Sequence, residues 1–279
     1  MMAESAGGAR AAEERVDRLV VARAARPEDG GCRHLLVWRA GPGWRMVSSA
    51  ILGGGIGSRR WVLNAQVRPG YARMDPDRHL QELADAQELT GPGVGLMTAA
   101  QVDDVAWAED HGVTAVVTAG IGVPAWAAEA VAGGEAGPVA PPREAAAAVP
   151  AYRPGTINIL VAVPAAIPDA GLVNLLATAT EAKVQALLDA GYDCSGTPSD
   201  AVCVAVREPG PGTPADAFGG PRSTWGTRLA RAVHAAVRLG AERDRARRAQ
   251  GPPMVHAEPG PSCALDDVGA RLSAYRPAG

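Results

Sequence analysis

A chain of 279 residues, 47% of them hydrophobic and with a formal net charge of -3, is long enough for one substantial core and lacks the basic stripe that nucleic-acid phosphates demand. Residues 1–18 are polar and charged, and no run approaches the roughly 20 apolar residues of a membrane span, so a cytoplasmic protein with neither nucleic acid nor membrane as partner is expected. The four cysteines, Cys32, Cys194, Cys203 and Cys263, stand far apart without a CxxC pair and read as reduced thiols, not as a disulfide framework or a zinc knuckle.

In chain order, residues 1–30 read as an N-terminal extension. Apolar runs at 35–39, 44–51 and 61–68 predict strands in an antiparallel start, the first two joined by a Gly/Pro turn. Asp75 followed by Pro76 predicts the start of a helix that stops before Gly91, Pro92 and Gly93. A strand at 94–98, a helix over about 101–111 halted by Gly112, and a strand at 113–118 together predict a right-handed parallel βαβ crossover. A strand at 156–163, a helix over about 169–190, a strand at 201–207 and a helix over about 223–239 follow. The expectation is an α/β fold: a single domain at 31–241, one mixed β-sheet with flanking helices, an Ala/Pro-rich loop insertion at 133–154 and a mostly disordered tail at 242–279 carrying a short helix near 264–274.

Several residues stand out against this frame. Of 27 Lys and Arg residues only Lys183 is a lysine, and the helical wheel puts it among Leu172, Leu176, Ala179 and Leu187 on the apolar face. A buried ammonium needs a carboxylate, a carbonyl cluster or a ligand. Asp200, in the turn 196–200, is placed to be that partner, or else only stabilises the turn. Glu181, Asn174, Thr178, Gln185 and Asp189 share the opposite, polar stripe, most simply a solvated face.

Asn158 sits in a strand apolar on both faces and must find hydrogen-bond partners in protein or substrate. Thr98 and Thr118 close two predicted parallel strands, where they either cap the next turn or meet a ligand. The cluster of Gly53, Gly54, Gly55 and Gly57 lacks the register of a phosphate loop and reads as backbone approaching a strand or a flat ligand. Neither HxH, HExxH nor GxSxG occurs, so a metal centre and the familiar serine machinery find no support.

Taken in order, the Ser48, Ser49 pair within 47–55, Asn64 in its strand, GVGLMTAA at 93–100, VTAG at 117–120, GTINI at 155–159, TEAK at 180–183 and GTPSDAV at 196–202 resemble the adenosylcobinamide amidohydrolase (CbiZ) family over about 45–240. The resemblance implies hydrolysis of adenosylcobinamide to adenosylcobyric acid and aminopropanol in vitamin B12 salvage, with a corrinoid as the small-molecule partner; a homo-oligomer is one assembly the sequence leaves open. No cofactor is required, since cobalt comes with the substrate. Amide cleavage needs a base, an oxyanion donor and an acid for the leaving amine. We therefore expect Asp200 or Glu181 as base and Lys183 with Asn158 as oxyanion and leaving-group support, with Thr118 as an outside candidate for a covalent nucleophile. Ser48, Ser49, Asn64, Thr98, Thr118, Thr156 and Thr197 are the expected substrate-binding residues. A noncatalytic corrinoid carrier or sensor on the same fold is the rival expectation.

Overall fold

The computed structural model describes residues 19–28, 31–129, 155–210 and 215–250. The loop insertion at 133–154, the tail from 251 and its expected short helix lie outside the described residues.

The strands are β1 (Ala22–Glu28), β2 (Gly31–Trp38), β3 (Trp44–Ser48), β4 (Gly55–Ser58), β5 (Trp61–Gln66), β6 (Gly93–Thr98), β7 (Ala106–Asp110), β8 (Val113–Gly120), β9 (Thr156–Ala166) and β10 (Ala201–Arg207). The helices are α1 (Pro76–Ala86), α2 (Asp169–Asp189) and α3 (Thr224–Ala249). The fold is α/β, but its strands form two mixed sheets where one was expected. A four-stranded sheet runs β1-β2-β5-β6 and a six-stranded sheet runs β4-β3-β10-β9-β8-β7.

Residue alternation builds four layers. On β5, Leu63 and Ala65 pack with Leu80, Leu83 and Ala84 of α1, while Val62 joins the core between the sheets. On β9, Ile157, Ile159 and Val161 pack against Leu172, Ala179 and Leu187 of α2 and Val233 and Val237 of α3, while Leu160 and Ala162 face the other sheet. Trp38 and Trp44 meet edge to face across the sheets with centroids 4.9 Å apart. The order is therefore α1, four strands, six strands, then α2 with α3.

Among the described residues two parallel crossovers are present, β5–α1–β6 and β9–α2–β10. Neither is the expected one. Residues 101–111 form a single 3-10 turn, Val102–Asp104, and then β7, which pairs antiparallel with β8. The residue that reads as a helix stop, Gly112, sits at φ 86 beside His111 at φ 46. Two consecutive positive φ values are the signature of a tight hairpin turn, so Gly112 folds β7 back onto β8.

Other differences are local. Part of the expected N-terminal extension is β1, paired with β2 from Ala22↔Val37 to Glu28↔Gly31. Helix α3 continues to Ala249, past the point where a tail was expected to begin, because Asp244 is buried and accepts from Arg248 at 2.6 Å and from Tyr192 at 3.1 Å. Asp75 makes no side-chain cap on α1 and instead holds Arg73, whose guanidinium brings its carboxyl down to about 2. The glycine cluster after β3 brings backbone onto another strand: Gly95 N donates to Leu52 O at 3.0 Å, and a Cβ on Gly53, at φ 68, would collide with Gly93 O.

Candidate active site

One end of the sandwich gathers most of the residues singled out above. Gln66 pairs with Thr98 at the carboxyl ends of β5 and β6, Gly120 of β8 pairs with Thr156, and Cys203 of β10 pairs with Ser48 at the end of β3. Strand β8 is antiparallel to both neighbours, so Thr118 closes no parallel strand; it reaches this rim because β8 runs outward here. Thr98 does end a parallel strand, where open α/β sheets seat ligands.

The first constellation is charged. Lys183 Nζ donates to Asp200 Oδ2 at 2.6 Å, with both side chains only 9% exposed. Thr197 N donates to the same oxygen at 3.1 Å, and Ile157 N donates to Oδ1 at 2.9 Å. The Thr197 hydroxyl lies between Asp200 Oδ1, at 2.6 Å, and Gly155 O, at 2.8 Å. Thr156 and Ser199 hydroxyls meet at 2.7 Å, and Ser199 also reaches Gly155 O. A Cβ on Gly196 would strike both charged groups, so only glycine lets this turn close on the ion pair.

The expected pairing of Lys183 with Asp200 is present, and its hydrogen bonds tie three elements together. Both Asp200 oxygens are occupied by donors, which makes the carboxylate a clamp that fixes the 196–200 turn to α2 and β9, and a poor fit for a base that must take a proton from water. Glu181 is exposed on α2 and does not join the pair.

The second constellation is neutral and lies between the sheets. Asn64 Nδ2 donates to Thr118 Oγ1 at 2.9 Å, and Asn158 Nδ2 donates to Asn64 Oδ1 at 2.9 Å and Met97 O at 3.0 Å. All three side chains are buried, and Asn158 Oδ1 has no hydrogen-bond partner. Such an orphaned oxygen is costly unless something donates to it. The three line a cavity with room for about one water, walled otherwise by Leu36, Val62, Leu96, Val116 and Leu160.

Ser48, Ser49 and Thr98, also expected as binders, make hydrogen bonds within the fold. Ser48 Oγ donates to Val202 O at 3.0 Å, and Ser49 Oγ accepts from Val202 N at 3.1 Å, so the pair stitches the end of β3 to β10. Thr98 Oγ1 accepts from Ala100 N, capping the turn after β6.

Gln66 and Ser195 carried no sequence signal that singled them out. Gln66, buried at the end of β5, donates to Gln101 Oε1 at 2.9 Å. Ser195 and Gly196 pair with Ala125, tying the loop before residue 130 to the 196–200 turn. Ser195 Oγ further accepts from Ala127 N at 2.8 Å. The alternation that places Gln66 on the Asn64 face was available, but nothing local marks it as polar by necessity.

Buried amides and hydroxyls thus stand beside a clamped turn at one rim of a mixed α/β sandwich. The model of a family described as adenosylcobinamide amidohydrolase matches residues 20–249, every strand and helix described above. The chain is 28% identical over 198 residues, 68% of its own length and 87% of the relative's, to a Methanosarcina mazei protein named adenosylcobinamide amidohydrolase. A Halobacterium salinarum protein of the same name is 42% identical over 86 residues, 30% of this chain and 35% of that protein. The chain is thus an amide hydrolase by kinship. It belongs to the adenosylcobinamide amidohydrolase family. Among the described residues no helix is long and apolar enough to cross a membrane.

Proposed function

We propose that this protein cleaves the amide between aminopropanol and the corrin ring of adenosylcobinamide, releasing adenosylcobyric acid and free aminopropanol, and so serves corrinoid salvage in the cytoplasm. The observation that carries the reading is the family match across 20–249. Asn158 Oδ1, buried and without a partner, is an acceptor suited to an amide N–H of the substrate. Thr118 Oγ1 accepts from Asn64, which leaves its own proton to give to a substrate carbonyl. Lys183 and Asp200 act as positioning residues: they hold the turn that carries Thr197 and Ser199 at the rim. The cobalt ion belongs to the substrate.

Incubation of the purified protein with adenosylcobinamide, followed by mass spectrometry of the corrinoid and of aminopropanol, tests the reading. Adenosylcobyric acid and aminopropanol in equal amounts are expected. Tight corrinoid binding without either product would replace the enzyme by a carrier on the same fold, and neither binding nor product would remove the corrinoid altogether.

A further inference from the structure

The constellations above supply hydrogen-bonding groups and support. A further constellation stands on β2. Cys32 Sγ lies 4.0 Å from His34 Nε2, and the other ring nitrogen, Nδ1, lies 2.8 Å from Asp103 Oδ2. Asp103 is held in turn by Arg23, 2.6 Å from its other oxygen. The thiol also lies 3.9 Å from its neighbour's carbonyl, Arg33 O. The thiol and the carboxylate meet opposite nitrogens of one imidazole, so the three groups form a line. Metal ligands would converge on a point, and among the described residues no His/Cys/Asp/Glu group does so.

The placement is as informative as the geometry. Leu36 and Trp38 of β2 face the core between the sheets, and by the period of two His34 and Cys32 share that face. Leu36 is registered with Asn64 and Leu35 with Ala65, so His34 stands one pair outward of the buried amides, level with Gln66. Asp103 comes from the turn just after Gln101, the partner of Gln66. The line of three therefore lies on the inter-sheet face of β2, one same-face position further towards the rim than Leu36, which is paired with Asn64.

The other described cysteines are unsuited to attack. Cys203 is fully buried and its thiol is pushed up to about 12, and Cys194 is buried with its thiol raised as well. Cys32 is half-buried at the rim.

We propose that Cys32, His34 and Asp103 are the catalytic triad of this amide hydrolase, with Cys32 as nucleophile, His34 as proton carrier and Asp103 as the group that orients the imidazole; the corrinoid identity of the amide rests on the proposed function above. With Nδ1–H given to Asp103, Nε2 is left to take the thiol proton. Cys32 Sγ adds to the amide carbonyl carbon as its proton moves to His34 Nε2. The C–N bond breaks, that proton leaves on the aminopropanol nitrogen, and a thioester remains on Cys32. Water then attacks the thioester carbon while His34 takes its proton, the C–S bond breaks, and His34 returns the proton to the thiolate. One amide and one water become one acid and one amine, with no redox partner.

The test uses the full chain and three variants, C32S, H34Q and D103N, with folding checked by circular dichroism. Turnover of adenosylcobinamide is expected to fall by about 1000-fold or more in C32S while corrinoid binding persists. Acid-quenched wild type should carry, on the peptide with Cys32, an adduct of the substrate less aminopropanol. Iodoacetamide should alkylate Cys32 at pH 7 at least about tenfold faster in wild type than in H34Q, since the imidazole supplies the thiolate. C32S turning over within about twofold of wild type, with no adduct, would overturn the triad even though the corrinoid reading stood. If wild type fails to cleave adenosylcobinamide, that reading falls, and alkylation decides the triad alone: dependence on His34 supports it and indifference to His34 refutes it.

Discussion

The ion pair below β10 and the carboxamide network between the sheets are both buried and polar, yet they are satisfied to different degrees. Lys183 and Asp200 form a closed set in which each carboxylate oxygen has donors from two elements. Asn64, Thr118 and Asn158 form an open set that ends on an oxygen with no donor. A saturated buried pair fixes backbone and has no lone pair left for chemistry. An open one has capacity for a ligand, so burial and charge alone did not single out the reacting groups.

Breaking the closed set should have the largest effect on folding. Lys183→Met strands the Asp200 charge in a site 9% exposed and is expected to cost about 3–5 kcal/mol in urea denaturation. Adding Asp200→Asn to it should recover part of that loss, and full stability in the single variant would mean that the pair does not clamp the turn. Attacking the open set should separate function from stability. Asn158→Leu removes donors to Asn64 Oδ1 and Met97 O, for about 1–3 kcal/mol of stability. Its kcat/KM on adenosylcobinamide should drop at least about tenfold beyond what the unfolded fraction explains. An unchanged kcat/KM would make the network purely structural.

The smallest expected effect lies away from both sets. His79 is buried on α1 with Nδ1 2.9 Å from the Tyr71 hydroxyl, and burial, with Arg73 and Arg26 nearby, lowers its pKa below 6.5. The folded chain thus resists a proton that the unfolded chain accepts. That stabilising contribution is present above about pH 6.5 and is lost as pH falls through the folded-state value. Melting temperatures at pH 7.5 and 5.5 should diverge less in His79→Gln than in wild type. Equal divergence would remove His79 as the cause.

Much of the fold was legible because short, β-branched, near-continuous apolar runs such as 113–120 and 156–163 read as strands buried on both faces. Which strands pair is a long-range matter, and alternation is silent on whether ten strands make one sheet or two. The β7–β8 hairpin was hidden because Gly112 serves a helix stop and a tight turn equally well, and only the antiparallel register tells them apart. Strand β1, ARAARPE, has no β-branched residue to announce it.

The meeting of Lys183 with Asp200 followed from the helical wheel and a neighbouring turn, which are local signals. Asn64, Thr118 and Asn158 could each be marked as polar groups in apolar strands, but contacts spanning 54 and 94 residues come from sheet packing. Cys32 and His34 lie just before the apolar run at 35–39 from which a strand was expected, and they share a face of β2 only because that strand begins at Gly31. What gave them meaning was Asp103, brought to them by a turn that the sequence disguised as a helix.

The central claim is that one rim of the sandwich receives the corrinoid. Amide hydrogen exchange with and without adenosylcobinamide tests it directly. Protection should appear at 31–34, 64–66, 97–103, 118–121, 155–158 and 195–200 and leave the outer face of α3 unchanged. Protection concentrated on α3 or at the opposite ends of β9 and β10, with the rim unaffected, would contradict it.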